Sequence, residues 1–168
     1  MIITILHGAP GWVWALLAAL VALGVSQSFP RLMTTRRATI VPIALFVLSL
    51  YGVVSAFRQQ TFALTAWVAG VATSLMLVSA TGAFRGISWS DEHQRIRVPG
   101  SWLPLVLIMG LFATKFGVGA SLAMQPSLAA DPVFATAAGL AYGGFSGLFL
   151  GRGLVMLKVA RRGVFLHG

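Results

Sequence analysis

One lysine lies deep inside an apolar stretch of the sequence, where a charged side chain is energetically costly. Lys115 falls within residues 102–125, about nine residues, or roughly 14 Å, from the end of that stretch at Gln125. A lysine at the centre of a membrane helix costs about 2.5–3.5 kcal/mol on insertion scales, and such residues usually face a bundle interior or a cavity. We therefore expect Lys115 to have a polar or ligand-binding role. The alternative is snorkelling, in which the long side chain carries the charge to the membrane surface.

Three hydroxyl-bearing residues are predicted to lie at nearly the same depth as Lys115. Tyr142 belongs to the next apolar stretch, and Ser49 and Tyr51 belong to an earlier one. Together with Lys115, these residues could line a small pocket that takes a polar or anionic solute. Hydroxyl groups in membrane helices also hydrogen-bond neighbouring helices, so a purely structural role is the alternative.

The apolar stretches contain no acidic residue that could pair with Lys115. The three acids of the sequence are Asp91, Glu92 and Asp131, and all of them fall in connecting segments. The lysine is therefore neutral through desolvation, held by hydroxyls and carbonyls, or compensated by an anionic ligand. The sequence leaves these three states open.

Glycines recur at a strict four-residue spacing in the last apolar stretch, at Gly139, Gly143, Gly147 and Gly151. On a helix this spacing forms a smooth strip on one face, where another backbone can approach closely. The sequence leaves the partner of the strip open. One possibility is the seam of a homodimer. The other is packing within the bundle, with a facing surface supplied by Gly110, Gly117 and Gly119.

The histidines do not form a pattern that predicts a metal site. His7 and His167 are far in sequence from His93, and Asp91, Glu92 and His93 are adjacent rather than at ligand spacing. The absence of cysteine removes thiolate ligands and cysteine nucleophiles. Nothing in the sequence resembles a catalytic triad, a phosphate-binding loop or a pair of intramembrane carboxylates. We expect no metal, no cofactor and no enzymatic activity.

The composition indicates a membrane protein that must hold these residues within a bilayer. Hydrophobic residues make up 58% of the 168 residues and charged residues only 9%, whereas soluble domains carry roughly 25% charged residues. The net charge of +9 could suggest nucleic acid. Because most basic residues lie in short segments between apolar blocks, we instead expect them to meet anionic lipid head groups.

Five apolar blocks are long enough to cross roughly 30 Å of hydrocarbon. The predicted fold is an all-α membrane protein, a five-helix transmembrane bundle forming a single domain, with spans at about 10–29, 39–57, 61–84, 102–125 and 132–157. Pro10 and Pro132 are expected in the first turns of their helices, where a missing N–H costs little. Asp131 is expected to cap the last helix.

Lysines and arginines alternate between the connections in a way that predicts the orientation of the bundle. The first and third loops hold three each and the C-terminal segment holds four, whereas the second loop holds only Arg58 and the remaining connections hold none. By the positive-inside rule, the N-terminus is outside and the C-terminus is cytoplasmic.

The third loop has a short alternating pattern that predicts a β-hairpin. Apolar and polar residues alternate in 87–90 and again in 95–98, around the polar turn Asp91–Gln94. Alternation of this kind on both sides of a turn is typical of two paired strands. A lone hairpin is marginal in water, so its apolar face should lie on the bilayer or on the bundle. We predict a cytoplasmic hairpin between spans 3 and 4.

Several motifs resemble those of a small bacterial inner-membrane family of unknown function. They are Val98 to Leu105 (VPGSWLPL) followed by Thr114-Lys115, His7 to Trp14, Ser49 to Gly52, and Tyr142 to Arg152. The resemblance covers most of the chain. It implies a multi-span fold in a bacterial cytoplasmic membrane, and it implies no particular activity.

Two functions are consistent with these features. The first is a transport-like or ligand-binding protein in which a pocket around Lys115 holds a polar or anionic solute. The second is a non-catalytic accessory or assembly subunit, in which Lys115 and the glycine strip pack against another membrane protein. The expected partners are the lipid bilayer and either a second copy or another membrane protein.

Overall fold

The structure, a computed structural model, describes residues 11–58, 60–84, 86–90 and 92–166. Within these residues the helices are α1 (Gly11–Ser26), α2 (Thr35–Ala56), α3 (Thr61–Thr81), α4 (Leu103–Met124) and α5 (Pro132–Leu166). The strands are β1 (Arg31–Met33), β2 (Ser88–Ser90) and β3 (Arg95–Val98), and a short 3-10 helix covers Pro126–Ala130. The chain is therefore mainly helical, with one small sheet.

Four of the helices, α2 to α5, are long and apolar enough to cross a membrane. The described part of the first predicted span is α1, which has 16 residues and extends about 24 Å at 1.5 Å per residue. It ends at Ser26 instead of Phe29 because the chain turns there and then enters β1. Pro10, predicted at the start of this span, lies outside the described residues.

Two other predicted spans have different ends in the structure. The second span, predicted at 39–57, begins at Thr35, and the fifth, predicted at 132–157, continues to Leu166. Both extra segments contain arginines, which are good helix formers and continue a helix beyond the apolar stretch. Hydropathy predicts the apolar part of each helix and not its full length.

The third and fifth helices have clear local end signals. The third span, predicted to end at Phe84, ends at Thr81 because Gly82 adopts a left-handed backbone with a φ of 61°, as glycines often do after a helix. At the start of α5, Oδ1 of Asp131 accepts hydrogen bonds from the backbone N–H groups of Val133 (2.8 Å) and Phe134 (3.3 Å). The predicted cap at Asp131 is therefore confirmed.

The glycine strip of α5 lies against α3 of the same chain. The glycines contact α3 at successive turns. A Cβ added at Gly139 would contact Ala63, one added at Gly143 would contact Trp67, and one added at Gly151 would contact Val78. At Gly147 the same atom would lie 2.7 Å from the carbonyl oxygen of Val71. At Gly139, Gly143 and Gly147 the backbone of α3 is so close that a Cβ does not fit without a shift of the helices.

The glycines of α4, expected to face this strip, do not do so. An added Cβ at Gly117 or Gly119 would meet nothing within 4 Å, and at Gly110 it would meet the ring of Phe145. The facing surface is supplied by α3 instead, whose small residues Ala63, Ala66 and Gly70 are buried. Within this chain, α3 occupies the surface that a homodimer seam would use.

The predicted hairpin is part of a three-stranded antiparallel sheet with the strand order β1-β3-β2. In the hairpin, Trp89 is opposite Ile96. The third strand comes from the first loop, where Arg31 is opposite Val98 and Met33 is opposite Ile96. A strand of three residues is too short to show alternation, so β1 could not be predicted from its own sequence.

The sheet packs through one face on the last turns of α5. Ile87, Ile96 and Val98 are buried and form a cluster with Met156 and Ala160 of that helix. Arg95 and Arg97 alternate with these residues and are exposed. The apolar face of the hairpin therefore lies on the bundle.

The connections are gathered at two ends of the bundle. The first and third loops meet in the sheet, so we refer to this as the sheet end. At the opposite end, Nε2 of Gln60 donates a 2.8 Å hydrogen bond to the carbonyl oxygen of Ala130 and joins the second and fourth loops. The strands at the sheet end carry Arg31, Arg95 and Arg97, so the loops rich in arginine share one end.

Candidate functional site

A cavity of about 1610 Å³ lies between α1, α2, α4 and α5 and is partly open to the outside of the bundle. Most of its wall is apolar. Side chains such as Leu20 of α1, Leu45 of α2, Phe112 of α4 and Phe149 of α5 contribute to it. It is continuous from Met124, at the end of α4, to Arg31 in the sheet. The cavity therefore extends along most of the bundle.

Lys115 lies on the wall of this cavity, about halfway along α4. Its Nζ is 5.5 Å from the centroid of the Tyr142 ring, an arrangement that permits a cation–π interaction. The ammonium also lies beside the backbone of α2, since a Cβ added at Gly52 would be 3.5 Å from it. Lys115 is half-buried. Its Nζ thus lies on the wall of a largely apolar space.

The structure brings Ser49 and Tyr142 together in a buried hydrogen-bonded group. The hydroxyl of Ser49 donates to the carbonyl oxygen of Tyr142 (3.3 Å) and accepts from Nε1 of Trp67 (3.1 Å). These bonds connect α2, α3 and α5, and they use the single donor of Ser49 within the protein. In this structure Ser49 joins helices, and Tyr142 lies between that group and Lys115.

Tyr51 does not join the predicted pocket. Its side chain is 69% exposed on the outer surface of α2, and it does not contribute to the cavity wall. Ser49 and Tyr51 are two residues apart on a helix, so they point to different faces. Their similar depth in the membrane did not place them in the same pocket.

The sheet end of the cavity carries four arginines, Arg31, Arg37, Arg95 and Arg152. Arg152 is only 8% exposed. Its Nη1 donates a 3.4 Å hydrogen bond to Oε1 of Gln27, and its Cζ lies 6.0 Å from the centroid of the Phe84 ring. Arg152 therefore contacts the end of α1 and the turn that follows α3.

Arg31 is the second arginine of this end, and its side chain is half-buried. Its Nε is buried and has no hydrogen-bond partner among the described residues. Burial lowers the pKa of Arg31 from its ordinary value, but an arginine remains protonated at neutral pH. The charges of Arg31 and Arg152 also repel each other across this end of the cavity. The two guanidinium groups form a cationic site that the described part of the protein leaves uncompensated.

No carboxylate of the described residues contributes to the cavity wall. Glu92 is exposed, and its Oε2 lies 3.8 Å from Nδ1 of His93. Asp131 caps α5 at the opposite end of the bundle. Asp91 lies outside the described residues. The described acids therefore cannot neutralise the cations of the cavity.

The described residues contain no group of three histidine, cysteine, aspartate or glutamate side chains that could hold a metal ion. Nδ1 of His93 lies 3.4 Å from the hydroxyl of Ser90, within the turn of the hairpin. His7 and His167 lie outside the described residues. The histidines that the structure describes supply no further candidate site.

The burial of Arg152 and of the Nε of Arg31 was not predicted from the sequence, which suggested only topology signals in two basic segments. Arg152 could have been recognised, since it lies inside the predicted span 132–157 and between Gly151 and Gly153. Arg31 gave no such signal, because its burial depends on the pairing of β1 with β3.

The sequence matches, over residues 1–164, the model of a family described as a family of unknown function (DUF6622), and the chain belongs to this family. The resemblance to a family of unknown function is confirmed. Comparisons with curated proteins and with solved structures give no match.

Proposed function

We propose that this protein binds an anionic amphiphile, a molecule with an apolar body and a negatively charged group, inside the membrane in a transport-like or ligand-binding role. One observation carries the proposal. The cavity of about 1610 Å³ has largely apolar walls and five cationic side chains, and it has no carboxylate among the described residues. The cations on its wall are Arg31, Arg37, Arg95, Lys115 and Arg152.

The apolar part of the cavity has the length of a lipid chain. Along α4 it extends from Ile108 to Met124, which is about 24 Å at 1.5 Å per residue. The hydrocarbon core of a bilayer is roughly 30 Å thick. An acyl chain or a similar apolar body fits this space, and its burial there would be favourable in the same way as burial in lipid.

The cations favour an anionic group on that body. A charge in an apolar environment is costly unless an opposite charge or hydrogen bonds compensate it. Lys115 lies roughly 16 Å along α4 from Pro104. Pro104 is close to the sheet end, since it lines a small pocket together with Arg152. At an effective dielectric constant of 20, two opposite unit charges separated by such a distance attract each other with about 1 kcal/mol. Lys115 therefore adds to the positive potential at the sheet end.

Lys115→Met should weaken the binding of an anionic amphiphile about fivefold, since about 1 kcal/mol of attraction is lost. Methionine has a similar length and leaves no unpaired charge, so the melting temperature should not fall. A suitable measurement is the titration of purified protein in a nonionic detergent with a fluorescent fatty acid and with its neutral methyl ester. Only the affinity for the acid should change.

Lys158→Met is the matched control, because Lys158 is exposed on α5 and does not contribute to the cavity wall. Water and salt therefore screen its charge. It should leave both affinities unchanged. Equal binding of the acid and the ester by the unsubstituted protein would contradict the proposal. Such a result would favour the accessory or assembly role.

We also propose that the sheet end faces the cytoplasm of a bacterial cell, with five spans and the N-terminus outside. The arginine-rich loops share the sheet end, as the positive-inside rule requires of a cytoplasmic face. The sequence contains no cysteine, so single cysteines can report sidedness. In spheroplasts, a membrane-impermeant maleimide should label Ser127→Cys directly and Glu92→Cys only after lysis. The reverse pattern would refute this orientation.

A further inference from the structure

The arginine pair at the sheet end has hydrogen-bond donors that find no good partner among the described residues. Nε of Arg31 is buried and has no partner among the described residues. Arg152 is 8% exposed, and its one hydrogen bond in the described structure is a long one, 3.4 Å, to a neutral amide oxygen of Gln27. Leaving a buried donor of a charged group unsatisfied is costly. Both side chains also contribute to the cavity wall, and their guanidinium groups there indicate a site for an acceptor-rich anion.

The number of cations indicates which anion fits best. A guanidinium presents a planar fork of donors that matches the oxygens of carboxylate and phosphate. One fork is enough for a carboxylate, which has only two oxygens. Here two guanidinium groups line the same end of one cavity, and Arg37 and Arg95 add further positive charge at its edge. A phosphate group has more oxygens and can carry more charge, so it can be shared between two forks.

The cavity continues from this cationic end into apolar space. Its wall passes from Arg31 and Arg152 through Leu45 and Phe112 to Met124 without an acidic side chain of the described residues. A molecule that satisfies both parts has a phosphate at one end and one or more hydrocarbon chains at the other. Free inorganic phosphate would satisfy the arginines only and would leave the apolar part empty.

We propose that Arg31 and Arg152 bind the phosphate group of an anionic phospholipid whose hydrocarbon chains occupy the cavity. This inference rests on the proposed function and specifies its ligand class and binding residues. The partly open side of the cavity lets the lipid enter from the bilayer. The phosphate then lies at the sheet end, level with the other loop arginines, and the chains extend towards the opposite end of α4.

The test is a comparison of three ligands on the purified full-length protein in a nonionic detergent. Dioctanoyl phosphatidic acid has the phosphate and the chains, dioctanoylglycerol has the chains alone, and inorganic phosphate has the anion alone. Isothermal titration should show that phosphatidic acid binds at least tenfold more tightly than dioctanoylglycerol. Inorganic phosphate should bind far more weakly than the lipid.

Substitution of the two arginines should remove only the contribution of the phosphate. Arg31→Gln and Arg152→Gln should each weaken the binding of phosphatidic acid at least tenfold and should leave the affinity for dioctanoylglycerol unchanged. Glutamine at position 152 retains a donor for Gln27, so loss of folding is not expected, and melting curves check this. Arg152→Lys and Arg31→Lys should restore part of the affinity, because they restore the charge without the fork.

Arg161→Gln is the control, since Arg161 is exposed on α5 and does not contribute to the cavity wall. It should leave all affinities unchanged. Unchanged affinity for phosphatidic acid in folded Arg31→Gln and Arg152→Gln would overturn the inference, as would inorganic phosphate binding as tightly as the lipid. A failure of the proposed function is different, because then the unsubstituted protein would bind the fluorescent fatty acid no more tightly than its methyl ester.

Discussion

Gly143→Leu should lower the free energy of unfolding by about 3 kcal/mol, at the upper end of the usual cost of overpacking a core. At this glycine, even an added Cβ would contact the carbonyl oxygen of Trp67 and would lie 2.9 Å from its Cα. These are backbone atoms of α3, so they cannot move aside as the end of a flexible side chain can. The substitution must separate α3 from α5. Melting temperature and reversible unfolding in detergent measure the loss.

Two alanine substitutions test the same explanation, because they are expected to change stability in opposite directions. Gly143→Ala should still destabilise the protein because of the contact with Trp67. Gly117→Ala should stabilise it by about 0.5–1 kcal/mol, the usual difference between alanine and glycine within a helix, since an added Cβ at Gly117 meets nothing within 4 Å. If both substitutions change stability in the same direction, the close approach of α3 and α5 does not determine the effect.

Ile96→Ala should destabilise the protein by about 2–5 kcal/mol, the range for truncation of a fully buried large aliphatic side chain. Ile96 is 0% exposed and lies in the cluster that joins the sheet to α5. Its backbone is also central, since it is opposite Met33 on one side and Trp89 on the other. The loss would be measured as a fall in melting temperature.

Arg97→Ala provides the comparison on the same strand. Arg97 is adjacent to Ile96 but is exposed on the opposite face of the sheet, and substitutions at such surface positions usually change stability by less than about 0.5 kcal/mol. Ile96→Val should cost about 0.5–1.5 kcal/mol, between these two results. Equal stability of Ile96→Ala and Arg97→Ala would show that the sheet does not pack on the bundle in solution.

Most helices could be predicted from the sequence because their signal is local. Apolar blocks gave α2 to α5, and Asp131 and Pro132 gave the start of α5. The C-terminal end of α1 and the strand β1 were not predicted correctly. Both depend on what the chain contacts elsewhere. Ser26 is the end of α1 because the next residues lead to a strand that pairs with β3, and neither segment shows this by itself.

The candidate site could be predicted only in part, for a similar reason. Depth in the membrane follows from position in a span, so Lys115 and Tyr142 were predicted at one level, and the structure places them 5.5 Å apart, from Nζ to the ring centroid. Depth does not determine direction around a helix axis, and Tyr51 therefore faces outwards. Burial of Arg31 requires a partner strand from another loop, which no local pattern can reveal.

The central position of β3 in the sheet has a consequence for biosynthesis. The backbone groups of Arg31–Met33 pair with Arg95–Val98, and α1 packs through Gly24 on Leu105 of α4. The ribosome makes both partners much later than α1 and β1, a delay of seconds at roughly 5–20 residues per second. During that delay the N-terminal segment lacks both of these partners. The N-terminal part of the chain thus reaches its final position only after the segment around α4 has emerged and folded back towards it.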